Sequence, residues 1–178
     1  MTAKKAEIYL RKPLPGDVDF MLRLENDPAI WEVSQTTEPF TREDIELFIR
    51  NHQHDLIIEL QQRFVIVLQE REIAVGCIDL FSYDADEESA GVGVSVLPEY
   101  RRQGFARQAL KELVRLAFQQ LKLKKLYCSI FEDNTASIHL FTSCGFREIK
   151  ELPARFETAV SDKKELYFEL RKEDYGVK

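Results

Sequence analysis

Apolar positions follow two rhythms along the chain, and the changes between them mark its elements. Glu7–Arg11 reads as a short strand, and Leu14-Pro15-Gly16-Asp17 leads into a helix running to about Glu25. Asn26-Asp27-Pro28 ends that helix, because proline disfavours helical geometry at the residue before it. A second helix starts near Thr41, which suits the N-cap. Asp44 falls at its N3 position, and Phe40 and Ile45 take the hydrophobic-staple positions. It runs to about Asn51, with a continuation over Asp55–Gln61. The rhythm then becomes that of strands. Phe64–Leu68 and Ile73–Phe81 flank Gln69-Glu70-Arg71-Glu72 as a hairpin, and Ser89–Leu97 follows an acidic loop, Asp84–Glu88. From Gly104 to Leu121 the apolar positions Ala106, Ala109, Leu110, Leu113, Ala117 and Leu121 recur at helical spacing. Lys125–Phe131 reads as a buried strand. Thr135–Cys144 reads as a shorter helix with Gly145 at its left-handed end, and Phe146–Leu152 and Glu165–Leu170 as closing strands. Strands in runs with helices inserted predict an α+β, mixed α/β sheet fold.

Composition narrows the class. The chain has 178 residues, 44% hydrophobic and 31% charged, with no repeat or linker, so one domain over 1–178 is expected. Its net charge of −6 argues against nucleic acid as a partner, since that binding needs a basic footprint. Cys77, Cys128 and Cys144 form no CxxC pair, and His52, His54 and His139 form no HExxH helix. The expectation is reduced thiols and no metal. The start, MTAKKAEIYL, has no apolar run of signal-peptide length, and no uninterrupted apolar stretch reaches spanning length anywhere. A soluble, cytoplasmic protein without a membrane partner is expected.

The chemistry concentrates in Gly91–Ala106, a strand, a short loop and the start of the long helix. A helix start exposes unpaired backbone N–H groups and the positive end of the dipole. Gly104 lets an anion approach the backbone, Ala106 keeps the next turn narrow, and Arg101 and Arg102 can add cationic contacts. On these grounds the segment is a pyrophosphate cradle. It lacks the Gly-Lys-Ser/Thr ending of a Walker A loop, and Gly91-x-Gly93 lacks the third glycine of a dinucleotide fingerprint. An ordinary strand-to-helix connection with solvated arginines is the alternative.

Arg101-x-x-Gly104-x-Ala106, directly after Leu97-Pro98-Glu99-Tyr100, resembles the acyl-CoA motif Gln/Arg-x-x-Gly-x-Gly/Ala of the GNAT N-acetyltransferase superfamily. Downstream, the stretch from Asn134 to Gly145-Phe146 is similar to the family's second motif. Leu10–Leu14 with Asp17, and Glu25-Asn26-Asp27-Pro28, resemble the RimJ/RimL-type branch, to which spermidine N-acetyltransferases are similar. The resemblance implies a central, mostly antiparallel sheet whose fourth and fifth strands, here Ser89–Leu97 and Lys125–Phe131, splay apart around the acetyl thioester. It implies acetyl-CoA as cosubstrate. The backbone around Ser95, Val96 and Leu97 would pair with the pantetheine arm. The N–H groups of Arg101, Arg102, Gln103, Gly104, Phe105, Ala106 and Arg107 would hold the pyrophosphate, and Asn134 and Ser137 would contact the cofactor.

Acetyl transfer needs a neutral amine, and a strand N–H near Val96 could stabilise the tetrahedral oxyanion. Direct attack is the expected route. An acyl-enzyme on Cys128 or Cys144 is the alternative, without a sequence arrangement that would activate either thiol. The family's usual acid for the thiolate is a Tyr seven residues after the Asn. Here that position is Phe141, so water protonates the leaving group, helped by Ser137 or Cys144. Glu88, nearest to the start of the cofactor strand, is the candidate base, against a reading as a solvated loop charge. Glu25, Glu32 and Glu38 flank the acceptor-side helices, and Trp31 and Phe40 could line an acceptor pocket or pack between helices. His139 reads as a helix-surface residue. The expected activity is acetylation of a primary amine, a polyamine or other small cation. Protein N-termini, or acyl-CoA binding without turnover, are the alternatives. The closing strands offer an edge for a homodimer.

Overall fold

The structure is a computed structural model that describes residues 6–34, 37–150 and 163–176, except the side chains of 32–34. Its strands are β1 (Ile8–Arg11), β2 (Gln62–Leu68), β3 (Ile73–Asp84), β4 (Ser89–Val96), β5 (Lys125–Phe131), β6 (Arg147–Ile149) and β7 (Glu165–Arg171). Its helices are α1 (Val18–Glu25), α2 (Pro28–Ser34), α3 (Arg42–Asn51), α4 (Leu56–Glu59), α5 (Phe105–Gln119) and α6 (Thr135–Ser143). Among the described residues the strands form one seven-stranded sheet in the order β1-β2-β3-β4-β5-β7-β6. Every neighbouring pair is antiparallel except β4 and β5, which run parallel.

The amphipathic face of α5 explains one side of the sheet. Ala109, Leu110, Leu113 and Ala117 pack with Ile66, Ile78, Leu80, Val92 and Leu126 in the main core. Each buried leucine there contributes about 2 kcal/mol of hydrophobic stabilisation. On the other side Leu24 of α1 and Ile30 of α2 meet Val65, Val67, Cys77 and Leu97. A third cluster joins Val18 and Met21 to Ile45 and so seats α3 on α1.

Local chemistry sets the element ends. Thr41 Oγ1 accepts from the Asp44 N–H at 3.2 Å, and the Asp44 carboxylate accepts from the Thr41 N–H at 2.7 Å, a complete capping box. Gly145 closes α6 with φ +96°. Two elements differ from expectation. Pro28 opens a new helix, α2, because a proline at the first helical position sacrifices no hydrogen bond. The continuation over Asp55–Gln61 is a separate short helix: His52 is extended, Asp55 caps the Ile57 and Ile58 N–H groups, and Leu60 turns left-handed at φ 58°. The strand expected over Phe146–Leu152 is β6, Arg147–Ile149, and Leu152 lies outside the described residues.

Candidate active site

The parallel pair β4–β5 is short. Ser89 faces Lys125, Ala90 faces Leu126 and Gly91 faces Tyr127, and beyond these the two strands separate. The Leu97 N–H donates to Val75 O at 2.9 Å, so odd-numbered residues of this segment turn their backbone groups to β3. By alternation Val92, Val94 and Val96 turn theirs toward the opening. The backbone groups of Val94 and Val96 therefore turn to that side, and Val92 and Val94, though not Val96, line the cavity there. Leu97 and Ser95 do not offer theirs: the Leu97 N–H is already bonded, and Ser95 lines the gap beside its strand rather than through it.

The opening is a cavity of about 320 Å³ between β4 and the β5–α6 side, with Cys128, Ser129, Asn134, Ser137 and Phe141 on its wall. Asn134 caps α6, its side-chain oxygen accepting from the Ser137 N–H at 3.2 Å, which leaves its amide group free to donate. Phe141 is buried and edge-on to Phe146, with ring centroids 5.0 Å apart. It brings no proton to the gap. Burial pushes the Cys128 thiol well above its ordinary range, as it does Cys77. A thiol held protonated is a poor nucleophile, so an acyl-enzyme on Cys128 is disfavoured. Cys144 sits at the C-cap of α6, half-buried.

At the end of β4 the chain makes a tight turn into α5. Arg102 has φ 59° and Gly104 φ 82°, and left-handed residues at this spacing bend the backbone so that successive N–H groups converge. Among the described residues no acceptor takes the N–H groups of Arg102, Gln103, Gly104, Phe105, Ala106 or Arg107, and the first helical bond is that of Gln108 to Gly104. Six donors at a helix N-terminus fit a pyrophosphate. Arg101 departs from expectation: its N–H donates to Pro98 O at 3.3 Å, and its guanidinium is used internally. Nε donates to Val96 O at 2.8 Å and Nη2 pairs with Asp27. The exposed Arg102 and Arg107, which form no ion pair among the described residues, supply the cationic flank.

A second cavity, of about 380 Å³, lies under α3 and α4. Glu25, Asp44, Glu59 and Asp79 border it against one guanidinium, Arg63. Phe40 is on its wall, in keeping with an acceptor-pocket residue. Trp31 instead donates its indole N–H to Glu25 O at 2.7 Å, tying α2 to the end of α1. His54 is buried there with Nε2 unpartnered; burial pushes it below the ordinary imidazole range, opposed in part by Glu59.

The two cavities share Glu25, Arg63, Asp79 and Phe81. Arg63 faces Asp79 directly across β2 and β3, and the pair is bidentate: Nε to Oδ1 at 2.7 Å and Nη2 to Oδ2 at 2.9 Å. The remaining Nη1 donates to Glu25 Oε1. Burial works against the Arg63 charge, but its neighbours, Asp79 foremost and Glu25 among the rest, more than offset it, so the group is held charged. Of this ion triad the sequence points to Glu25 alone, as an acceptor-side carboxylate; Arg63 and Asp79 are not among the expected residues.

Glu88 is the main correction. It sits in the turn before β4, at the end where β4 and β5 are paired, and its carboxylate is bound to Lys124. Six residues separate it from Val94, about 20 Å along a strand, so it cannot reach an amine at the gap. Its reading as a loop charge is the one the structure supports. Glu38 and His139 are exposed, and the Glu32 side chain lies outside the described residues.

A splayed parallel pair, a helix-start anion cradle and an acidic cavity opening onto the splay define an acyl-CoA-dependent transferase. Residues 7–147 match the family described as Acetyltransferase (GNAT) domain, and the chain belongs to that family of acetyl-CoA-dependent N-acetyltransferases. Among curated relatives, the spermidine N(1)-acetyltransferase of Vibrio cholerae is 27% identical over 152 residues, covering 85% of each chain. An uncharacterized N-acetyltransferase, p20, of Bacillus licheniformis is 28% identical over 95% of each. Among solved structures, the Vibrio cholerae spermidine N-acetyltransferase in complex with CoA and spermine superposes with a TM-score of 0.80 at 25% identity, covering 94% of this chain and 97% of that one. Among the described residues no helix is long and apolar enough to cross a membrane, and no cluster of groups could hold a metal ion.

Proposed function

We propose that residues 1–178 act as one domain that transfers acetyl from acetyl-CoA to a primary amine of a polyamine or a similar small cation. The observation that carries this reading is the second cavity: four carboxylates against one guanidinium, opening through shared walls onto the splay of β4 and β5. Such a lining favours a cationic guest. The spermine-bound relative supports the same substrate class.

In this reading the N–H groups from Arg102 through Arg107 hold the pyrophosphate, with Arg102 and Arg107 adding charge. Val94 and the N–H of Val96 offer the strand edge to the pantetheine arm, the Val96 carbonyl being held by Arg101, and the amide of Asn134 and the hydroxyl of Ser137 face the same ligand. Acetyl-CoA supplies the activated acyl group. The Val96 N–H is placed for the oxyanion that develops as the amine attacks. Phe141 keeps the departing sulfur in an apolar wall. A thiol has an ordinary pKa of about 8.5, so the thiolate leaves tolerably and takes its proton from water. Acetyl-CoA as cosubstrate suits a cytoplasmic location. The outer strands β1 and β6 each have one paired side among the described residues, and an edge-to-edge homodimer would use one of them.

Thiol release from acetyl-CoA, measured across spermidine, spermine, amino acids and N-terminal peptides, tests the reading. Turnover with the polyamines is the expected result. Silence with them alongside acetylation of peptides would transfer the assignment to protein N-termini.

A further inference from the structure

The acceptor cavity and the thioester gap meet at the four residues common to both, Glu25, Arg63, Asp79 and Phe81, which an amine reaching from one into the other passes. Their hydrogen bonds single out one of them. Both oxygens of Asp79 are taken by Arg63, and Arg63 spends Nε, Nη1 and Nη2 on carboxylates. Phe81 has no polar atom. Glu25 gives only Oε1 to Arg63, and among the described residues no donor reaches Oε2. The carboxylate is also well fixed. Its side chain is 17% exposed, its Oε1 is tied to a half-buried guanidinium, and its own carbonyl accepts the Trp31 indole. An oriented carboxylate with one spare oxygen, at the charged position left open among the four shared residues, has what an acceptor for an ammonium proton needs.

We infer that Glu25 is the catalytic carboxylate that receives the proton of the reacting ammonium, and that Arg63 and Asp79 are positioning residues that aim it. The inference rests on the amine-acetylation reading above. R–NH3+ gives one proton to the Glu25 carboxylate and becomes R–NH2, whose lone pair forms the C–N bond to the acyl carbon. The C–S bond breaks and its electron pair leaves on the CoA thiolate. The second nitrogen proton passes through water to the thiolate, and Glu25 releases its proton to solvent, giving amide, CoA thiol and one proton.

The test is Glu25→Gln, which keeps an oxygen for Arg63 and removes the base, with Glu25→Asp as a second variant that keeps the charge. Thermal shift with acetyl-CoA reports folding and the donor site. Steady-state thiol release with spermidine is then followed from pH 7 to 9. General-base loss predicts kcat/KM down by about 10²–10³-fold at pH 7, with acetyl-CoA stabilisation unchanged. The deficit should shrink by about tenfold per pH unit, because neutral amine becomes available without a base. Glu25→Asp should recover part of the rate. A deficit constant across pH would show that Glu25 only binds the cation, and a deficit under twofold would show that it does neither; both overturn the inference and leave polyamine acetylation standing. A wild-type protein silent toward spermidine at every pH would overturn the function reading itself, and this inference with it.

Discussion

Gly76 offers a test of how β3 sets the donor site. It lies opposite Val96 in the sheet, and a Cβ built on it would fall 2.3 Å from Ser95 O and 3.1 Å from Val96 Cα. Carbon atoms of this kind do not come within 3.0 Å of such neighbours, and the obstacle is backbone, so Gly76→Ala must push Ser95–Val96 outward by at least about 0.7 Å. Overpacking of this kind costs about 1–3 kcal/mol. For a chain of this size that lowers Tm by about 2–4 °C per kcal/mol, so a drop of about 4–8 °C is expected from a mid-range cost. The functional loss should be larger than the stability loss. The displaced residues carry the strand edge and the N–H proposed for pantetheine and oxyanion, and an error near 1 Å there can cost about 10²-fold in rate. Differential scanning fluorimetry and thiol release with varied acetyl-CoA give both numbers. Gly16→Ala is the control, since a Cβ there meets nothing within 4 Å. A Gly76→Ala protein with Tm within about 1 °C of wild type and an unchanged KM for acetyl-CoA would refute the close approach of β3 to the Ser95–Val96 backbone.

Gly104→Glu should abolish acetyl-CoA stabilisation in thermal shift, because it places bulk and negative charge where the N–H groups from Arg102 to Arg107 converge; retained stabilisation would mean the cradle lies elsewhere. Phe141→Tyr should leave kcat equal or higher if the ring faces the departing sulfur, and a large fall in thiol release would count against that placement. The Asp44 carboxyl is held below its ordinary value by the Thr41 hydroxyl and then the Thr41 N–H. A value depressed in the folded state contributes stability above the unfolded value, about 3.9, and loses it as pH falls through the folded one. Wild type should therefore exceed Asp44→Asn in Tm at neutral pH, with the gap closing in acid. A gap that widened on acidification would contradict the capping box.

Elements with a strong local code were readable from the chain alone. The capping box at Thr41 and Asp44, the long helix after Gly104 and the strand Lys125–Phe131 needed only neighbouring residues. What local reading could not supply was the end at which β4 opens. That depends on where β5 pairs with it, more than thirty residues further on, and so Glu88 looked adjacent to the chemistry when it is at the closed end. Arg101 misled in a different way: an arginine inside an anion motif invites a ligand, and nothing nearby shows that Asp27 claims it. Arg63 and Asp79 did leave a signal. A charge inside an apolar strand needs a partner, but counting back from the Gln69–Glu72 turn sets Arg63 opposite Ile78, and only the bulge in the β2–β3 register between Ile66 and Val67 brings Asp79 across from it. Glu25 could be drawn to them only by packing α1 on the sheet.

The guanidinium of Arg101 has a bearing on how this protein could change its substrate. One nitrogen grips the carbonyl that ends β4, and another grips Asp27, which sits between α1 and α2 and also bonds the Ala29 N–H at 3.1 Å. The turn between α1 and α2 and the strand that faces the donor are thus tied by this side chain, beside the apolar packing of Leu24 and Ile30 on Leu97 and the Arg23–Glu99 ion pair. Grafting the α1–α2 segment of a relative with a different amine preference would break this tie to the end of the donor strand unless the incoming segment brought its own aspartate to position 27. Acceptor choice and donor affinity are not separable modules in this chain, and a lineage drifting toward a new amine has to carry that tie along.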